Sequence, residues 1–116
     1  MEVSISFVDD IIIRELNNQY LNRNKSTNVL SFPLQEGEFS EINPGILGDI
    51  VISTETAARD AIKGQLTFYQ EIDFLIIHGL LHLLGYNHEN TSRAEVNKMQ
   101  NMEKLLFKII YHNDKI

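Results

Sequence analysis

Apolar and polar residues alternate at the start of the chain, where Val3, Ile5 and Phe7 are separated by Ser4 and Ser6. A period of two predicts a half-buried strand, and it ends at Asp9 and Asp10, either of which can cap a following helix. The period then changes: Ile12, Leu16 and Tyr20 recur at helical spacing until the polar run from Asn22 to Asn28 ends the helix. Val29 to Phe32 reads as a second strand closed by Pro33, and Gln35 to Gly45, rich in Glu, Gly and Pro, reads as a loop. Leu47 to Ser53 is a third strand. Ser53 or Thr54 can cap a helix that carries Glu55 in its first turn and stops near Gly64.

The second half of the chain is more apolar. Thr67 and Gln70 form a capping-box pattern, which opens a helix from Phe68 to Leu84 stopped by Gly85. Phe74, Leu75, Ile76, Ile77, Leu80, Leu81, Leu83 and Leu84 surround its second half, and a helix apolar on all sides is buried in the middle of a fold. Ser92 and Glu95 make a second capping box, after which Val96, Met99, Met102, Leu106 and Ile109 mark the inner face of a C-terminal helix. The pattern predicts an α+β fold: a small mixed β-sheet packed with helices around a central buried helix.

Composition narrows what such a fold can do. The 116 residues make one domain, 1–116, and 43% apolar content is enough for a core. Cysteine is absent, which excludes disulfide scaffolds, thiolate metal sites and cysteine nucleophiles, so any metal must be held by His, Asp or Glu. The net charge of −6 argues against a general nucleic-acid coat protein. The N-terminus lacks the basic and apolar regions of a signal peptide, and the longest apolar stretch, Ile72 to Leu84, is broken by Asp73, His78 and His82. A cytoplasmic protein with no membrane partner is the expectation.

Three of the four histidines fall within His78-Gly79-Leu80-Leu81-His82-Leu83-Leu84-Gly85-Tyr86-Asn87-His88. On a helix His78 and His82 rise from one face a turn apart, and a left-handed Gly85 turns the chain so that His88 can return as a third ligand. Unpaired imidazoles on so apolar a helix would cost about 1–3 kcal/mol each, whereas one shared ion satisfies both. His112, near the C-terminus, is read as solvated. Three protein nitrogens leave a tetrahedral zinc with an open position, the arrangement of catalytic sites, unless Asp49 or Glu89 closes it as a fourth ligand. Neutral imidazoles leave the ion's full charge in place, which suits an anionic, phosphate-bearing substrate. The same spacing occurs in metzincin proteases, but their general-base Glu follows the first His, and here that position is Gly79. A glycine inside a helix implies a need for space beside the ion, and hence a substrate bulkier than a peptide carbonyl.

The histidine block, together with Thr27-Asn28-Val29-Leu30-Ser31-Phe32-Pro33 and Leu47-Gly48-Asp49-Ile50-Val51-Ile52, resembles the YbeY family of bacterial rRNA maturation endoribonucleases. The blocks stand in the family's order and the resemblance covers nearly the whole chain. It implies a zinc-dependent, single-strand-specific endoribonuclease acting in 16S rRNA 3′-end maturation and ribosome quality control. One zinc would be held by His78, His82 and His88, and Arg23, shortly before the Thr-Asn-Val-Leu-Ser-Phe-Pro block, would be the residue implicated in activity. A guanidinium grips a phosphate through two hydrogen bonds, and Lys25 beside it would add attraction to the substrate. The partners implied are the 16S rRNA precursor and the ribosome or its small-subunit proteins, with no DNA expected. The sequence departs from the family in carrying Asn87 where Asp is usual, and it begins near the family's second strand, which would thin one side of the sheet. The competing readings are a non-catalytic ribosome-assembly factor with a structural zinc and, more distantly, a metalloprotease.

Overall fold

The computed structural model describes residues 2–33, 46–85 and 92–113, without the side chains of 46 and 110–113. The predicted loop from Gln35 to Gly45 lies outside the described residues, as do Asn87, His88 and Glu89. Elements follow the chain as β1 (Glu2–Val8), α1 (Asp10–Leu21), β2 (Val29–Pro33), β3 (Ile46–Ser53), α2 (Thr54–Lys63), α3 (Phe68–Leu83) and α4 (Arg93–Asn113). Among the described residues the sheet has three strands in the order β1-β3-β2, with β1 parallel and β2 antiparallel to β3. The fold is therefore α+β with a small mixed sheet, as the periodicities predict.

The central strand decides the layers, because its side chains alternate between two faces. Ile50 and Ile52, both fully buried, pack with Ala57 of α2 and with Ile72, Leu75 and Leu83 of α3. Val51 points the other way, onto Ile13 of α1 and Leu30 of β2. On its side away from the sheet, α3 meets α4 through Ile77, Leu81 and Met99. Gly48 is required where α3 ends against the sheet, since a Cβ there would lie 2.5 Å from the Phe32 carbonyl oxygen and 2.7 Å from Leu83 Cδ2.

Every helix start uses a device written in the sequence. Asp9 caps α1 and Ser53 caps α2, while Thr67 and Gln70 exchange both bonds of the capping box at α3. Glu95 donates its N–H to Ser92 Oγ at the start of α4. The helix stops are as local: Asn22 takes a left-handed conformation after α1, and Gly85, at φ 102°, follows α3. The corners where β1 enters α1 and β3 enters α2 are tied together by Asp10. One carboxylate oxygen accepts from Ser53 Oγ and Thr56 Oγ1, each at 2.6 Å, and the other accepts from Arg59 at 2.7 Å.

Three elements are oriented differently from their sequence patterns. β1 lies at the sheet edge, so its apolar face is only partly covered, with Phe7 54% exposed. The buried line of α1 is Ile13 and Asn17, while Ile12 and Tyr20 sit at its margin; Tyr20 packs edge-on against Phe32. In α4 the seam runs through Met99, Glu103 and Phe107, one turn apart, and leaves Ile109 exposed. Hydrophobic spacing defines a helical stripe only to within one residue row, and neighbouring elements select the row. Among the described residues no helix is long and apolar enough to cross a membrane.

Candidate active site

The capping box fixes the first turn of α3, and the helix then runs uninterrupted to Leu83, so His78 and His82 stand one turn apart on one face. Their rings meet at a centroid distance of 4.6 Å, with Nε2 of His82 3.0 Å from Nε2 of His78. The opposite edge of His78 meets α4, where Nδ1 lies 2.8 Å from Glu103 Oε1. Among the described residues Glu103 is one of four buried polar or charged ones, only 7% exposed. Sequence reasoning missed it, although the signal was there: a carboxylate one turn from Met99 and three residues before Leu106 interrupts an apolar stripe.

Gly79 has a different purpose from the one its place beside His78 implies. A Cβ there would lie 2.9 Å from Ile50 Cγ2 and 3.1 Å from Ser31 Oγ, so the missing side chain faces the sheet. Ser31 Oγ donates to the Gly79 carbonyl oxygen at 3.3 Å across this close approach. The glycine lets α3 settle onto β2 and β3. It opens no space toward the imidazoles, and the inference from it to a bulky substrate does not hold.

The block from Thr27 to Pro33 acts through the same contact. Asn28 enters β2 tied at both ends, its carbonyl accepting from the Ser53 N–H at 2.9 Å and its Nδ2 donating to Asp60 at 3.3 Å. Ser31 then reaches α3, and Phe32 meets Tyr20. Arg23 lies just upstream, in the exposed turn between α1 and β2. That turn is fixed from α1: the Asn17 carbonyl accepts from the Arg23 N–H at 3.2 Å, and Asn17 Nδ2 donates to the Lys25 carbonyl at 3.0 Å. Arg14 adds a bond from Nε to Asn24 Oδ1 at 2.9 Å. Asn17 is 2% exposed and its Oδ1 is buried without a partner, a cost accepted where the amide holds the turn.

Of the predicted metal ligands, the structure brings together His78 and His82. His88 lies outside the described residues, and among those described no group of three His, Cys, Asp or Glu side chains could hold a metal. Asp49 alternates with Ile50 and shares the face of Val51, which packs toward α1, so it is on the far side of the sheet from the histidines. The side chain of His112 is not among those described.

Comparison with known proteins places this geometry in a family. The family model described as Endoribonuclease YbeY matches residues 1–110. The chain is 57% identical over 110 residues to the Endoribonuclease YbeY of Syntrophus aciditrophicus, covering 95% of this chain and 69% of that one. It is 50% identical to that of Syntrophotalea carbinolica, covering 91% of this chain and 71% of the relative. The solution structure of TM1509 from Thermotoga maritima superimposes with a TM-score of 0.58 at 27% identity, covering 96% of this chain and 71% of that one. The chain belongs to the endoribonuclease YbeY family, a family of hydrolases acting on RNA.

Proposed function

We propose that residues 1–116 act as one catalytic domain, a zinc-dependent endoribonuclease that cuts single-stranded RNA in the cytoplasm. Its substrate would be the 16S rRNA precursor at its 3′ end, with a further part in ribosome quality control and the small ribosomal subunit as partner. The observation that carries the reading is the imidazole pair. Two nitrogens bound to one zinc at 2.0–2.1 Å in tetrahedral geometry stand about 3.3 Å apart, and the two Nε2 atoms already stand 3.0 Å apart. His78 and His82 supply two donors, and His88 is assigned as the third. Zinc so held supplies a Lewis acid for a phosphoryl oxygen and lowers the pKa of its water to about 7.

The remaining work falls to the chain itself. His78 and His82 bring their Nε2 atoms together at 3.0 Å, with β2 and β3 closing the back of the helix through Ser31 and Ile50. Arg23 would grip the phosphate with two hydrogen bonds and stabilise the charge that develops during attack, and Lys25 would add attraction. A turn anchored by Asn17 and Arg14 holds the backbone that carries that guanidinium, so part of the loop's ordering entropy is already spent.

The test is cleavage of a labelled single-stranded RNA by purified protein, with a duplex of the same sequence as control. Single-strand cutting should be abolished by a chelator, by His82→Ala and, by at least about 100-fold, by Arg23→Ala. Full cleavage by His82→Ala would overturn the assignment. In cells lacking the protein, normal 16S rRNA 3′ ends after complementation with either variant would remove the precursor as substrate.

A further inference from the structure

The histidine motif has no carboxylate beside its first histidine, yet one arrives from another element. Glu103 Oε1 meets His78 Nδ1 at 2.8 Å from α4. The approach is fixed by packing on both sides. One turn before Glu103, Met99 is fully buried against Ile77 and Leu81, and one turn after it Phe107 sets its ring edge-on to Phe74 at 5.9 Å. A carboxylate buried in such a seam is costly unless it is paired, and the imidazole is its partner.

We propose that Glu103 is the positioning residue of the metal centre. It holds His78 in the tautomer that carries its proton on Nδ1, so that the Nε2 lone pair is left to face His82 and an ion. The inference rests on His78 and His82 being ligands. It does not make Glu103 a general base, because the carboxylate sits on the ring edge opposite the converging Nε2 atoms and acts through the imidazole. Both short contacts are hydrogen bonds when His78 donates Nδ1–H to Glu103 and His82 donates Nε2–H to His78 Nε2. In that arrangement His78 is already in its ligand form. Outer carboxylates of this kind change metal affinity by about 10- to 100-fold when removed.

The experiment reads tautomer and affinity on the full chain without RNA. Side-chain ¹⁵N NMR of the metal-free protein should place the His78 proton on Nδ1 in the wild type. Glu103→Gln, close in shape and able to donate to Nδ1 instead of accepting, should populate the Nε2–H form and weaken Zn²⁺ binding about 10-fold, measured by competition with a chromophoric chelator. Glu103→Leu should weaken it by up to about 100-fold. If Glu103→Leu fails to fold, the glutamine variant and the wild-type spectrum decide the matter. Unchanged Zn²⁺ affinity in Glu103→Gln, or a wild-type His78 protonated on Nε2, overturns the proposal. An affinity that His82→Ala leaves intact would instead overturn the ligand assignment beneath it, a separate failure visible in the same titration.

Discussion

At the scale of single residues, the sharpest contrast is between His78 and its neighbour Gly79. The histidine spacing was legible because a helix puts residues four apart on one face whatever surrounds it. The role of the glycine was not, because it depends on which side of α3 meets the sheet. The two readings of Gly79 predict opposite signs. If it only kept space beside an ion, Gly79→Ala would stabilise the helix by about 1 kcal/mol. Since its Cβ would lie 2.9 Å from the branched Cγ2 of fully buried Ile50, overpacking of about 1–3 kcal/mol outweighs that gain. Gly79→Ala should therefore lower stability by about 1 kcal/mol net, read from the urea midpoint at unchanged m-value. A raised midpoint would return the glycine to the ion's side. Glu103 shows the same limit from another direction: its place in an apolar stripe marked it as unusual, but its partner sits 25 positions away, on a helix whose packing partner no local pattern names.

At the scale of elements, starts and stops were legible almost to the residue, because each is closed by atoms within four positions: Asp9, Ser53, Thr67 with Gln70, Ser92, Asn22 and Gly85. What joins the elements was not. Asp10 reads from the sequence as a cap candidate beside Asp9, yet it ties α1 to α2 across 43 to 49 positions of chain. The Ser53 hydroxyl first, then Thr56 and Arg59, hold its carboxyl down to about 2 from the ordinary 3.8. A group whose pKa is lowered by folding contributes stability above its unfolded value and loses it as pH falls through the folded one. The stabilisation is complete above about pH 5 and disappears between about pH 4 and pH 2. Asp10 is a quarter exposed, so solvent screening reduces the contribution to about 1 kcal/mol. Stability curves of wild type and Asp10→Asn should run apart at neutral pH and converge toward pH 2; a gap that persists at pH 2 would mean that the carboxylate charge is not what holds the corner.

At the scale of the whole molecule, the parallel pairing of β1 with β3 and the choice of β1 as an edge could not be read from strands that alternate in much the same way. Topology emerges only when α1 is seen to take one face of β3 and α2 with α3 the other. That arrangement gives the proposed metal centre a consequence beyond chemistry. The helix carrying His78 and His82 is packed to the sheet through Leu75 and Leu83 and to α4 through Ile77 and Leu81, so an ion bound to it is linked to every layer on that side of the fold. A ligand that binds only the folded state stabilises it by about 2.7 kcal/mol at a hundred times its Kd. For a domain of this size that corresponds to a rise in Tm of roughly 10 °C. Zn²⁺ at that excess should therefore raise the midpoint of one cooperative transition, and a chelator should return it. His82→Ala should show no shift under the same conditions. If zinc moved the wild type and His82→Ala alike, the ion would be binding elsewhere on a chain of net charge −6, and the imidazole pair would be a hydrogen-bonded core contact only.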